Sequence, residues 1–161
     1  MDCLAVRGRY GRSSHHAASS CWRHNCVGTF TALETTVAAM KQVLLVEDDR
    51  WLGESYERVL GRSGFRVVRV PSGDKAMRAV EVSMPDCIVA DVVLVDETIF
   101  TLLHELQSYD DTRIIPVILC TNLSKGLFDE TRLHHYGVMM ILEKSSLTPE
   151  QLIESVRECV Q

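Results

Sequence analysis

The sequence predicts an α/β fold, a doubly wound (βα)5 three-layer sandwich built around a five-stranded parallel sheet. Three observations predict it. From Lys41 onward short apolar runs alternate with amphipathic stretches, the alternation repeats five times, and most of the runs end in a polar residue. Such alternation implies right-handed crossovers and a sheet covered by helices on both faces. Continuous apolar runs, without polar alternation, are what strands buried on both faces require.

Val43–Val46 is short, apolar and rich in valine, which suits a buried first strand. Trp51, Leu52, Tyr56, Val59 and Leu60 then recur at helical spacing, with Trp51 and Tyr56 expected to pack, and Gly61 or Gly64 stops the helix. Phe65–Val70 is the second strand, broken by Pro71; Ser72 is placed to cap a helix that buries Ala76, Met77, Ala79 and Val80. Ile88–Ala90 is the third strand and Thr101–Leu106 the helix after it. Ile114–Cys120 is the fourth strand, Leu127–Tyr136 a helix, and Val138–Leu142 the fifth strand. Leu147–Val160 is the last helix, with Leu152, Ile153 and Val156 on one face.

Residues 1–39 read differently. Ser, His, Gly and Arg are interspersed without a sustained period, so a disordered N-terminal extension ahead of a single domain over 40–161 is expected. Met40 stands directly before the first strand and offers an alternative start, which N-terminal sequencing that finds Met1 would exclude. Cys21, His24 and Cys26 match no standard zinc spacing.

The charge distribution narrows the function classes. The chain carries a net charge of −5, yet Arg7, Arg9, Arg12 and Arg23 outnumber Asp2 and Glu34 in the extension, so the domain itself is strongly acidic. An acidic body repels phosphate backbones, which argues against direct nucleic-acid binding and favours a cationic partner surface. With no apolar run long enough to span a bilayer and no signal-like h-region, a cytoplasmic protein is expected, without membrane contact. The six cysteines are scattered and read as reduced thiols.

In doubly wound sheets, functional groups gather beyond the carboxyl ends of the strands. There the first strand delivers Glu47, Asp48 and Asp49, the third Asp91, the fourth Thr121 and the fifth Lys144. Carboxylates held close repel one another unless a cation neutralises them. An all-oxygen donor set with few protein ligands favours Mg²⁺, which commonly bridges to a phosphate. In such a site Asp91 is the candidate nucleophile, able to take a phosphoryl group as an acyl phosphate. Lys144 would pair with a phosphoryl oxygen, and Thr121 would donate its hydroxyl to another. Taken singly, each residue has a bland reading as solvated loop, cap or surface lysine; four such coincidences at four strand ends point to one site.

At these residues the stretch Lys41–Gln161, three quarters of the chain, resembles the receiver domain of two-component response regulators, a flavodoxin-like fold. The resemblance rests on "LLVEDD", "PDCIVADVVL", "IPVILCT" and "LEK", in order, with Lys144 53 positions after Asp91. It implies that Glu47 and Asp48 are the acidic metal pair, with Asp49 a frequent third acid. It also implies that Asp91 is the phosphoacceptor, Thr121 the switch hydroxyl and Lys144 the conserved-type lysine. The backbone carbonyl of Val93, two residues past the acceptor, would complete the Mg²⁺ shell.

Several positions depart from the family pattern. Val95 and Ile99 replace the usual proline and glycine after the acceptor, so that loop must take a different turn. Ser145 replaces the proline after the lysine, where a cis bond would now cost roughly 2.5–4 kcal/mol, so Lys144 is expected to be aimed differently. Ile141 replaces the switch aromatic, and Asn122, in place of a small residue, is expected to crowd attacking water and prolong phosphorylation.

The resemblance implies a stand-alone response regulator in a two-component phosphorelay. Its phosphodonor would be a sensor histidine kinase or histidine phosphotransfer protein, and its output would run through protein contacts with a downstream effector, with a homodimer an open option. Such a chain is a regulatory phosphoacceptor and not an enzyme, at most catalysing its own phosphorylation and dephosphorylation. The alternative is a pseudo-receiver that binds partners without phosphorylation. A flavin carrier fits less well, because the first loop offers acids where a ligand phosphate needs backbone amides.

Overall fold

The computed structural model describes residues 40–94, 97–123 and 130–161. The expectations for residues 1–39, including the extension and its Cys21, His24 and Cys26, lie outside the described residues, as do Leu127 and Phe128.

Strand β1 (Gln42–Val46) is buried along its whole length, as its run of Val and Leu demands. Beside it lie β2 (Arg66–Val70) and β3 (Cys87–Asp91); β6 (Val117–Thr121) and β7 (Val138–Glu143) complete the sheet. The order β2-β1-β3-β6-β7 is parallel throughout, with one register irregularity between Val117 and Ile118. This is the doubly wound arrangement expected of a flavodoxin-like sheet. A further antiparallel ribbon, β4 (Val93–Leu94) with β5 (Glu97–Thr98), follows β3 and has no counterpart in the sequence reading.

Alternate side chains of each strand feed two separate cores. On one face Leu44, Val46, Ile88, Ala90 and Leu119 pack with α2 (Gly73–Val82) and α3 (Ile99–Gln107). On the other, Val43, Leu45, Val89 and Ile118 pack with Leu60 of α1 (Arg50–Arg62) and with Leu152 and Val156 of α5 (Pro149–Cys159). Ile118 is fully buried, and at this depth truncation to alanine costs about 3 kcal/mol. Helix α4 (Glu130–His135) contributes Leu133 to the first core.

Local chemistry sets the helix ends. Helix α1 ends in a Schellman turn: the Phe65 amide donates to the Leu60 carbonyl and the Gly64 amide to that of Gly61. The left-handed residue is Gly64, at φ 93°, which decides between the two glycines that the sequence offered as the stop. Helix α5 begins with a capping box in which Thr148 Oγ1 accepts from the Gln151 amide and Gln151 Oε1 from the Thr148 amide, with Pro149 following. Ser72 holds the cap position of α2, yet its side chain makes no capping bond.

Two expectations are corrected. The fourth strand of the main sheet begins at Val117 and not at Ile114, because Pro116 has no amide to pair and residues 110–115 form turns that leave Ile114 75% exposed. Trp51 does not pack. It occupies the outer face of the first turn of α1 and is 83% exposed.

Candidate functional site

Sheet register assembles the site. Val46 pairs with Ala90, so Glu47 stands level with Asp91 at the rim. Asp91 pairs with Cys120, and Thr121, one step further, pairs with Glu143, directly before Lys144. Three adjacent strands and one further strand end thus bring the polar residues to a single edge.

Lys144 is the hub. Its Nζ donates to Glu47 Oε2 and to Asp91 Oδ2, each at 2.7 Å, and its amide donates to the Thr121 carbonyl at 2.8 Å. The ammonium and both carboxylates are largely shielded from water. Burial alone would pull Lys144 down, but the bonds to Asp91 and Glu47 outweigh it and hold the ammonium above its ordinary range. Glu47 moves the same way for a different reason: burial raises its carboxyl by more than Lys144 lowers it. Among the described residues its Oε1 is the buried side-chain oxygen without a partner.

Glu47, Asp48 and Asp91 each offer an oxygen within 4.8 Å of the others. Formally three carboxylates face one ammonium, an excess of two negative charges at the rim. The donor set is all oxygen, and the orphaned Glu47 oxygen is a lone-pair donor already stripped of water; both fit a hard divalent cation. Val93, whose carbonyl the family resemblance assigns to the metal, sits at the start of β4, and its amide donates to Asp91 Oδ1 at 3.2 Å.

Other expected residues fall into place around this hub. Thr121 is fully buried, and its Oγ1 accepts the Leu123 amide at 3.0 Å, which fixes the rotamer and leaves the hydroxyl proton as donor. Asn122 follows it, exposed. Asp49 does not join the acids: it caps α1, accepting the Leu52 amide at 2.9 Å. An aspartate directly before a helical pattern is a capping signal that the sequence carried. Peptide bonds among the described residues are trans, and with Ser145 after it Lys144 still reaches both carboxylates. After Asp91 the described residues pair as the β4–β5 ribbon, and Ile99 opens α3, while Val95 lies outside the described residues. His104 and His135 are exposed; His104 stacks edge-on against Tyr136, its Nε2 3.1 Å from the phenol oxygen.

Three contributors were missed. Gly53 lies where a Cβ would sit 2.8 Å from Arg69 Cδ and 3.5 Å from Glu47 Cγ, so a residue without one lets both side chains pass. A glycine inside a helical pattern was the available signal. Tyr56 lies near enough for burial, then Cys120, Glu47 and Asp91, to hold its phenol well above the ordinary value. Asp86 accepts from the Gln42 amide at 2.8 Å and from Lys41 Nζ at 2.9 Å, fixing the opposite end of β1. That pairing spans 44 residues of sequence and gave no local signal.

A family model for the response regulator receiver domain matches residues 43–157. The chain belongs to this family. The receiver domain is 28% identical over 118 residues to the polar-differentiation response regulator DivK of Brucella ovis, covering 73% of this chain and 94% of DivK. It is 32% identical over 81 residues to the transcriptional regulatory protein GltR of Pseudomonas aeruginosa, covering 50% of this chain but only 34% of GltR. Among solved structures it superposes on the receiver domain of a signal transduction histidine kinase from Syntrophus aciditrophicus, with TM-score 0.65 and 28% identity, covering 74% of this chain and 89% of that one. The CheY-like receiver domain from Methylobacillus flagellatus, at TM-score 0.65 and 21% identity over 75% of this chain and 99% of that one, shares the fold. Among the described residues no helix is long and apolar enough to cross a membrane.

Proposed function

We propose that this receiver domain accepts a phosphoryl group on Asp91 from a sensor histidine kinase or histidine phosphotransfer protein, with Mg²⁺, and signals in the cytoplasm through protein contacts with an effector. The observation that carries this reading is the convergence of Glu47, Asp48 and Asp91 on one side of Lys144. Phosphoryl transfer asks for positioning and charge neutralisation more than for acid or base chemistry, and this site offers both without an evident general base.

In the proposed step an Asp91 carboxylate oxygen forms a bond to phosphorus as the phosphorus–nitrogen bond of a phosphohistidine breaks, and the leaving imidazole takes up a proton. Lys144 turns from Asp91 to a phosphoryl oxygen while keeping Glu47. Thr121 donates its hydroxyl to a second oxygen. Mg²⁺, held by Glu47, Asp48, Asp91 and the Val93 carbonyl, would neutralise the charge that gathers on the phosphoryl oxygens. Asn122, exposed beside Thr121, would crowd the hydrolytic water and lengthen the phosphorylated lifetime.

Incubation with acetyl phosphate, with and without Mg²⁺, followed by intact mass spectrometry tests the reading. Addition of one phosphate that requires both Mg²⁺ and Asp91 is expected. No added phosphate in any condition, with Asp91→Asn behaving as wild type, would instead identify a pseudo-receiver.

A further inference from the structure

Where α2 and α3 end, a groove lies between them, a cavity of about 290 Å³. Met77, Val80, Met84 and Tyr109 give it an apolar lining, and Glu81 and Asp111 add two carboxylates. Met77, Val80 and Glu81 belong to α2, and Met84 follows directly after its C-cap, Ser83. Met77 and Val80 are buried, whereas Met84 is 47% and Tyr109 57% exposed. The wall beyond α3 is fixed in advance: Thr112 Oγ1 donates to the Leu106 carbonyl at 2.6 Å, and the Arg113 amide to the Tyr109 carbonyl at 3.1 Å. A turn already ordered adds little entropic cost to binding. The lining holds no basic side chain, and among the described residues neither Glu81 nor Asp111 is in an ion pair. Arg113, the basic residue nearest to Asp111 in sequence, is engaged by Asp110 at 3.1 Å.

We propose that this groove docks a short amphipathic helix of a protein partner, with its apolar residues on Met77, Val80, Met84 and Tyr109 and its Lys or Arg side chains against Glu81 and Asp111. Flexible methionines reshape to fit an incoming apolar side chain, and tyrosine is a frequent anchor at interfaces. An apolar floor flanked by uncompensated charge of one sign is what a helix with an apolar stripe and oppositely charged flanks fits. The cavity falls just below the roughly 300–1,000 Å³ of pockets that enclose a drug-sized ligand, and its exposed walls suit side chains brought by a partner. A two-fold pairing of copies through this groove would set the same carboxylates against one another. A nucleic acid or an anionic lipid surface meets that same repulsion. Both helices end where β3 and β6 begin, whereas Asp91 and Thr121 close those strands, so the groove and the acidic rim lie at opposite ends of the sheet. The docked helix therefore leaves Asp91 open to a phosphodonor.

The test titrates the full chain with a labelled helical peptide of leucine at helical spacing and lysine elsewhere, reads affinity by fluorescence anisotropy, and maps the footprint by amide hydrogen exchange. Protection should fall on residues 77–84 and 109–112. Tyr109→Ala, and Glu81→Lys combined with Asp111→Lys, change exposed positions and should each weaken binding by about tenfold, or about 1.4 kcal/mol. Two controls should bind as wild type: Glu154→Lys with Glu158→Lys, which reverses charge on α5, and Asp91→Asn at the acidic rim. The proposal is overturned by a lack of binding, by a footprint elsewhere, or by equal affinity for the same peptide with glutamate in place of lysine. Weakening by either control as strong as by the groove variants would overturn it too, because attraction would then come from the acidic domain at large or from the rim. Self-association of the chain that Tyr109→Ala abolishes would make the groove a contact between copies and also overturn it.

Discussion

Lys144 Nζ stands 2.7 Å from Asp91 Oδ2 while the Lys144 amide is bonded to the Thr121 carbonyl, so one residue ties together the rims of β7, β6 and β3. Removing its charge leaves Glu47 and Asp91 facing each other in a shielded position. Lys144→Met should therefore lower stability by about 3 kcal/mol, the cost typical of breaking a buried ion pair from one side. Urea unfolding with an unchanged m-value checks this; a loss under about 1 kcal/mol would mean that the carboxylates are solvated well enough not to need the ammonium.

Magnesium should stabilise the domain by binding the folded rim alone. At a tenfold excess over the dissociation constant the gain is about 1.4 kcal/mol, visible as a rise in Tm. Asp48→Asn removes one of the three converging carboxylates but none of the Lys144 bonds, so it should abolish most of the magnesium-dependent rise while largely preserving the metal-free Tm. A full rise in the variant would remove Asp48 from the ligand set.

The helix caps permit a paired comparison. Thr148→Ala breaks the capping box of α5 and should cost about 1 kcal/mol. Ser72→Ala removes a hydroxyl that makes no capping bond, so its effect should lie within a few tenths of a kcal/mol. Thermal or urea denaturation of both variants checks the difference, and equal losses would contradict it.

Residue chemistry made the main frame legible. Val43–Val46 and Ile88–Ala90 are unbroken apolar runs, and the residues after them announced the rim because polar groups stood at four strand ends together, although each alone had an ordinary reading. Where the reading failed, the deciding forces were not local. Helical spacing cannot say which side of a first turn meets the sheet, so Trp51 looked like core. The β4 and β5 strands are too short to carry a period of 2, and Ile114 joined an apolar run that Pro116 interrupts. The contact of Asp86 with Gln42 joins distant parts of the chain, and only the folded register brings them together.

Asp86 supplies a pH dependence. Burial pushes its carboxyl up, but the Gln42 amide and Lys41 bring it net below the ordinary value of 3.8. A depressed folded value means that the stabilising contribution is present above the unfolded value and is lost as pH falls through the folded one. Asp86→Asn should therefore cost about 1 kcal/mol at pH 7, a figure already reduced for solvent screening at this half-exposed pair. The gap to wild type should close as pH falls below the ordinary carboxylate value. Urea midpoints measured across that range check the sign, and a gap that widens in acid would reverse the assignment.

The Asp86 clamp also settles an ambiguity that the strands themselves leave open. A parallel ladder repeats every two residues, and β1 is apolar on both faces, so neither its hydrogen bonds nor its greasiness strongly forbids a slip by one repeat. Such a slip would carry Glu47 about 6.6 Å along the strand axis, out of line with Asp91. Asp86, holding Lys41 and the Gln42 amide at the other end, acts as the key in a keyway. The alignment of the acids at one edge of the sheet is indexed by a carboxylate at the opposite edge, which touches none of them.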